Sequence, residues 1–160
     1  KVVKKMSKPV TKTINEAINA NDGINKVYSE VYRNCRIGMA NIKAIKPQVS
    51  DHALLDLFNA QYKGYETLSK EIELQAAIED KQLDSPGLLS KAVVWGEAFV
   101  NAIKGNSPSD IAEYMLQGIN SGMLRLTKLQ NAEKEYADNE MIARLMGQYR
   151  HNEEVLKAYL

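Results

Sequence analysis

Residues 107–131 read SPSDIAEYMLQGINSGMLRLTKLQN, and this stretch decides the fold class. Its apolar side chains recur every three or four residues from Ile111 and Met115 onward, which is the period of an amphipathic α-helix. The opening SPSD combines a capping serine, a proline suited to a first helical turn and an acid near the positive end of a helix. The stretch therefore predicts a helix over about 109–132.

Two glycines, Gly118 and Gly122, lie on the apolar stripe of this predicted helix, and Gly38 lies on the stripe of an earlier one. A glycine inside a helix costs about 1 kcal/mol relative to alanine, so something must offset that cost. The pattern favours close packing, in which a neighbouring helix or a bulky side chain occupies the space that a Cβ would fill. The alternative is a ligand cavity beside Gly118 and Gly122.

The same helical period recurs along the rest of the chain, while the alternation of a β-strand does not occur. The sequence predicts an all-α protein with long helices at about 24–46, 50–80, 109–132 and 138–159, and a shorter helix at about 86–104. Residues 1–23 are predicted to form a basic segment with a short helix that stops at Gly23. Residues 24–160 are predicted to form one helical-bundle domain.

The four long helices suit an elongated four-helix bundle, because each is roughly 30 Å or more at 1.5 Å per residue. Short links predict that the first two helices are antiparallel, and that the last two are as well. The segment 86–104 could carry the chain back along the bundle as a crossover. A simple up-and-down order of five helices is the competing topology.

Three stretches carry a resemblance to a known family: NCRIGMANIKAIKPQVSD, AEYMLQGINSGMLRLTKLQNA and the final EEVLKAYL. Together they resemble small, largely uncharacterised bacterial proteins of the ferritin-like superfamily, over roughly residues 30–160. The QGINSG segment is the most specific part. The resemblance implies a ferritin-like four-helix bundle with a crossover, and it implies no established activity.

Di-iron proteins of that superfamily hold their metals with inward carboxylates and Glu-x-x-His pairs. This sequence contains no Glu-x-x-His, and Glu153 is the only acid that falls on an apolar stripe of the bundle helices. Glu153 and His151 are therefore only weak metal candidates. We expect Glu153 to pair with a lysine and His151 to lie on a solvated face. The sequence predicts no di-iron centre, no catalytic residue and no cofactor.

Several polar side chains are predicted to face inward: Gln61 and Tyr65 on the second helix, and Gln117 and Ser121 beside the glycines of the fourth. Buried amides and phenols need hydrogen-bond partners. These four could satisfy one another and fix the register of the bundle, or they could line a small polar pocket for a ligand.

Composition excludes some functions and leaves others open. Five of the 21 basic residues, and none of the 20 acidic ones, lie in the first twelve positions, but no arginine cluster or interleaved aromatics indicate a nucleic-acid groove. No apolar run is long enough to predict a membrane span. The one cysteine, Cys35, excludes an internal disulfide, predicts a buried inert thiol and fits a cytoplasmic location.

The leading hypothesis is a metal-free, non-enzymatic interaction or structural module that self-associates. Helix faces around Tyr62, Leu74 and Ala76 are candidate contact surfaces. The alternatives are a metal-binding or oxidoreductase relative with a non-standard site, and a bundle that binds a small molecule. The biological process, the partner and the oligomeric state do not follow from the sequence.

Overall fold

The computed structural model describes residues 8–83, 101, 103 and 105–160, and this part of the chain is helical with no strand. Its four long helices are α1 (Lys8–Ile45), α2 (His52–Ile78), α3 (Pro108–Ala132) and α4 (Glu140–Lys157). Short 3-10 turns follow α1 at Lys46–Gln48 and α3 at Lys134–Tyr136. The all-α prediction is confirmed, and the ends of α2, α3 and α4 lie within two residues of the predicted ones. The predicted crossover helix at 86–104 falls, except for residues 101 and 103, outside the described residues.

The first helix differs from its prediction, because α1 is continuous from Lys8 to Ile45. The short N-terminal helix predicted to stop at Gly23 is part of α1, and the helix start predicted at residue 24 is wrong. Gly23 has no positive φ and is buried. A Cβ built there would lie 2.7 Å from Cε2 of Tyr136, in the turn after α3. This glycine therefore makes room for an aromatic ring instead of ending the helix.

Local sequence explains where three of the helices start. The Asp51 side chain accepts a hydrogen bond from the backbone N–H of Leu54 at the start of α2. Ser107 and Asp110 cap α3 reciprocally, and Asn139 accepts from the backbone N–H of Met141 at the start of α4. Each cap satisfies a backbone donor that the first turn of a helix leaves unpaired.

Long-range contacts fix the directions of the helices. Tyr32 bonds to Glu73 and Gly38 faces Tyr65, so α1 and α2 are antiparallel. On the other side of α1, Lys26 pairs with Glu133, just after α3, while Arg125 bonds to Asn34. Helices α1 and α3 are therefore antiparallel as well.

Helix α4 is antiparallel to both of its neighbours. Arg144 pairs with Glu71 of α2, and Gly64 of α2 lies against Gln148. On the α3 side, Gly122 faces Tyr149. It follows that α1 and α4 run one way and α2 and α3 the other. The chain between Ile78 and Pro108 therefore joins opposite ends of the bundle, as both a crossover and an up-and-down order of five helices require.

The core is one continuous cluster to which all four helices contribute. Its largest fully buried side chains are aliphatic apart from Phe58, and each helix presents a stripe with helical spacing. Burying such a side chain stabilises the fold by about 1.5–3 kcal/mol. Among the described residues, no helix combines the length and the apolar character that a membrane span needs.

Candidate functional site

A fully buried amide, Asn34 of α1, lies at the centre of the candidate site. Its Nδ2 donates to the backbone oxygen and to Oε1 of Glu30, both at 2.9 Å. Its Oδ1 accepts from the hydroxyl of Tyr149 at 3.2 Å and from Nη2 and Nε of Arg125 at 3.2 and 3.4 Å. An amide has two donor hydrogens and one acceptor oxygen, and all three are engaged here. Asn34 therefore joins α1, α3 and α4 at one point.

Charged groups form the rim of this cluster. Glu30, whose side chain is 17% exposed, lies 3.1 Å from Nη1 of Arg33 and 3.8 Å from Nε of Arg125. Arg125 also donates to the hydroxyl of Ser121 at 3.1 Å, on the exposed face of α3. One carboxylate is thus flanked by two guanidinium groups, and both cations have a hydrogen-bond acceptor within reach. A half-buried charge needs such compensation.

Two buried tyrosines continue the cluster across the core. The rings of Tyr65 and Tyr149 meet edge to face, with centroids 6.0 Å apart, and the hydroxyl of Tyr65 accepts from Nδ2 of Asn152 at 3.2 Å. Burial raises the pKa of both phenols above the ordinary value, so both remain neutral donors and acceptors over the physiological range.

Two of the predicted glycines lie against these rings. A Cβ on Gly38 would meet Cε2 of Tyr65 at 2.8 Å, and a Cβ on Gly122 would meet the hydroxyl oxygen of Tyr149 at 2.6 Å. Both distances are shorter than any real contact of a Cβ atom. The third predicted glycine, Gly118, is half-buried and lines a small cavity next to the tyrosines.

That cavity has a volume of about 20 Å³ and lies between α1, α3 and the two tyrosines. Its lining residues are Asn34, Ile37, Gly38, Asn41, Tyr65, Met115, Gly118, Ile119, Arg125 and Tyr149. Pockets that hold drug-sized ligands are about 300–1,000 Å³, so this space is more than ten times too small for one.

Cys35 follows Asn34 in the sequence and is fully buried. Burial raises the pKa of its thiol to about 12. The thiolate, which is the reactive form, is therefore scarce at neutral pH. The prediction of a buried thiol is confirmed.

The polar set predicted from sequence is only partly assembled. Gln61 and Tyr65 are buried, but Gln117 and Ser121 are exposed, which corrects the expectation that they face inward. The reason is that the buried stripe of α3 is rotated toward Ala112, Leu116 and Ile119, which places positions 117 and 121 on the outer side. Gln61 and Tyr65 do not pair either. The hydroxyl of Tyr65 bonds to Asn152, and both side-chain polar atoms of Gln61 are buried without a partner.

The weak metal candidates stay apart from this site. Glu153 pairs with Lys157 at 2.7 Å, as expected, and His151 is exposed. Within the part of the chain that the structure describes, no group of three or more His, Cys, Asp or Glu side chains could hold a metal ion.

Sequence reasoning missed Asn34, Asn152, Arg125 and the inward-leaning carboxylate of Glu30. Asn34 and Asn152 carry a usable signal, because each lies three residues after a buried stripe position, Val31 and Tyr149 respectively. Arg125 and Glu30 carry no such sequence signal. Each lies at the edge of an apolar stripe, where a long charged side chain points to solvent in most helices.

Comparison of the chain with protein-family models, with curated proteins and with solved structures gives no match. The arrangement of the site is thus the basis for any assignment of function.

Proposed function

We propose that this chain is a non-enzymatic, ferritin-like helical bundle of the cytoplasm that acts as a self-associating interaction or structural module and carries no di-metal centre. One observation carries the proposal. The middle of the interior, where ferritin-like enzymes place metal-binding carboxylates, is occupied here by Asn34, Tyr65 and Tyr149, whose hydrogen-bonding groups engage other protein groups. Glu30, the carboxylate nearest to them, is engaged by two arginines.

The helix directions agree with the ferritin-like part of the proposal, and an up-and-down order of five helices would give the same directions. In that architecture two antiparallel pairs are joined by a long connection that returns along the bundle. Here α2 and α3 run in the same direction, and the chain from Ile78 to Pro108 joins opposite ends of the bundle.

Metal analysis of protein purified without chelators tests the metal-free part. We expect iron, manganese and zinc well below one equivalent per chain, in protein expressed with each metal supplied. One or two equivalents that survive dialysis would overturn the proposal and would favour a metal-binding or oxidoreductase relative. If the wild-type protein retains a metal, the variant His151→Ala tests whether His151 binds it. Loss of the metal in this variant would locate the ion at the Glu153–His151 end of α4.

Exposed aliphatic side chains support the interaction part. Leu74 and Ile78 of α2 are 64% and 69% exposed and lie one helical turn apart, so they share a face. Of the contact residues expected from the sequence, Leu74 is therefore available. Tyr62 is half-buried, and Ala76 belongs to the core, which corrects its assignment to a contact surface.

Sedimentation equilibrium tests self-association through this face. We expect the wild-type chain to form an oligomer and the variant Leu74→Glu, Ile78→Lys to shift toward monomer. A matched control is Leu124→Glu on α3, a leucine that is also more than half exposed. A monomeric wild type would contradict the self-association part, and an oligomer unaffected by the double variant would contradict the choice of face.

A further inference from the structure

The cavity beside the tyrosine pair is small, and its wall contains both apolar and polar side chains. Its volume of about 20 Å³ exceeds the ~10–15 Å³ that one water molecule requires and is close to that size. Ile37, Met115 and Ile119 form an apolar part of the wall, while Asn41 and the tyrosines supply polar groups. A space of this size and lining suits one small molecule with hydrogen-bonding capacity.

Asn41 has a buried hydrogen-bond acceptor that such a molecule would satisfy. It lies two helical turns after Asn34 on α1, and its Oδ1 is buried with no hydrogen-bond partner. A buried acceptor that stays unpaired costs about 1–3 kcal/mol, which is a large part of the stability of a typical domain.

The two tyrosines offer the remaining partners. The hydroxyl of Tyr65 accepts one bond from Asn152, and that of Tyr149 donates one to Asn34. A phenol hydroxyl is both a donor and an acceptor, so each has capacity for a further bond. Both residues line the same cavity as Asn41.

We propose that this cavity is a binding site for one neutral hydrogen-bonding molecule of the size of water, and that water occupies it in solution. The bound molecule donates to Oδ1 of Asn41 and bonds to the tyrosine hydroxyls, which links α1 to α2 and α4. A neutral occupant is favoured over an ion, because the aliphatic wall would penalise an uncompensated charge and Arg125, at the cavity, already binds Asn34 and Ser121. This inference does not depend on the proposed function.

Oxygen-17 magnetic relaxation dispersion detects water held longer than the protein tumbles, so it tests the proposal directly. We expect a slow component in the wild-type profile, and we expect Asn41→Leu to lower its amplitude by the equivalent of one water molecule. The matched control is Asn25→Leu, because Oδ1 of Asn25 is also buried without a partner but Asn25 does not line the cavity. That variant should leave the Asn41-dependent water in place.

Two results would overturn the proposal. One is a wild-type profile with no slow component, a measurement that needs no variant. The other is a folded Asn41→Leu protein whose amplitude equals that of the wild type. If Asn41→Leu does not fold, the variant Asn41→Ser is measured instead. The serine hydroxyl keeps a hydrogen-bonding group at this position, so the slow component should persist. Disappearance of the slow component in Asn41→Ser would contradict the assignment.

Discussion

Replacing Gly122 by alanine tests whether this glycine exists to admit a tyrosine. The added Cβ would lie 2.6 Å from the hydroxyl oxygen and 2.7 Å from Cζ of Tyr149. The ring of Tyr149 is buried, packs against Tyr65 and bonds to Asn34, so moving it away from the added Cβ disturbs these contacts. The variant must therefore shift a helix or break the hydrogen bond.

The opposing energies can be compared term by term. Alanine gains about 1 kcal/mol over glycine in helix propensity. Overpacking a tight core costs about 1–3 kcal/mol, and loss of the Tyr149–Asn34 hydrogen bond costs about 1 kcal/mol more. We expect the free energy of unfolding of Gly122→Ala to be about 1–3 kcal/mol lower than that of the wild type. In a chain of this length each kcal/mol lowers Tm by about 2–4 °C.

Gly147→Ala on α4 is the matched control, because Gly147 is exposed and a Cβ there would meet no atom within 4 Å. That variant should gain stability by up to about 1 kcal/mol from propensity alone. Urea unfolding followed by circular dichroism measures both changes. A Gly122→Ala protein as stable as Gly147→Ala, or more stable than the wild type, would refute the packing argument.

Three further predictions concern buried and strained groups. Gln61→Met removes an amide whose two polar atoms have no partner, so the free energy of unfolding in urea should rise by about 1 kcal/mol or more. Asn34→Leu removes a fully bonded amide, so its free energy of unfolding should fall by about 2 kcal/mol or more. Equal losses in the two variants would contradict this contrast. Burial raises the pKa of Cys35 and, with the neighbouring Glu79 carboxylate, that of Tyr28 to about 12 in each case, so the unfolded chain releases these protons first as pH rises. The free energy of unfolding should fall between about pH 9 and pH 12, and a flat profile there would show that the groups are solvated. Asp80 has a φ of 52° at the end of α2, a conformation that glycine adopts more easily than aspartate, so Asp80→Gly should raise Tm by a few degrees, corresponding to about 0.5–1 kcal/mol. An unchanged or lower Tm would contradict the left-handed conformation at this position.

Much of the fold could be predicted because local signals agree with the packing. The SPSD opening of α3 gave its start to within one residue, since the side chains that cap the helix lie within its own first turn. Gly23 shows where local reasoning fails. A glycine after Asn-Asp is a good helix stop in isolation, but here the ring of Tyr136, more than 100 residues away in sequence, determines its role.

The candidate site was harder to predict, because its groups depend on how the helices are rotated about their axes. The predicted stripe of α3 was centred near the glycines, whereas the buried one is turned toward Leu116 and Ile119. This rotation exposes Gln117 and brings Arg125 to Asn34. A hydrogen bond between residues 91 positions apart has no signature in either local sequence.

The direction of α3 is the claim on which the rest of the account depends, since the bond from Asn34 to Arg125 and the ion pair of Lys26 with Glu133 together require that α3 runs antiparallel to α1. Zero-length carbodiimide cross-linking tests it directly, because Lys26 Nζ lies 3.0 Å from Oε1 of Glu133. Mass spectrometry of the digested monomer should find a Lys26–Glu133 amide, and Lys26→Arg should abolish it. If Lys26 were instead linked to Asp110 at the other end of α3, roughly 35 Å away by helix length, the helix would run the opposite way and the site would not exist as described.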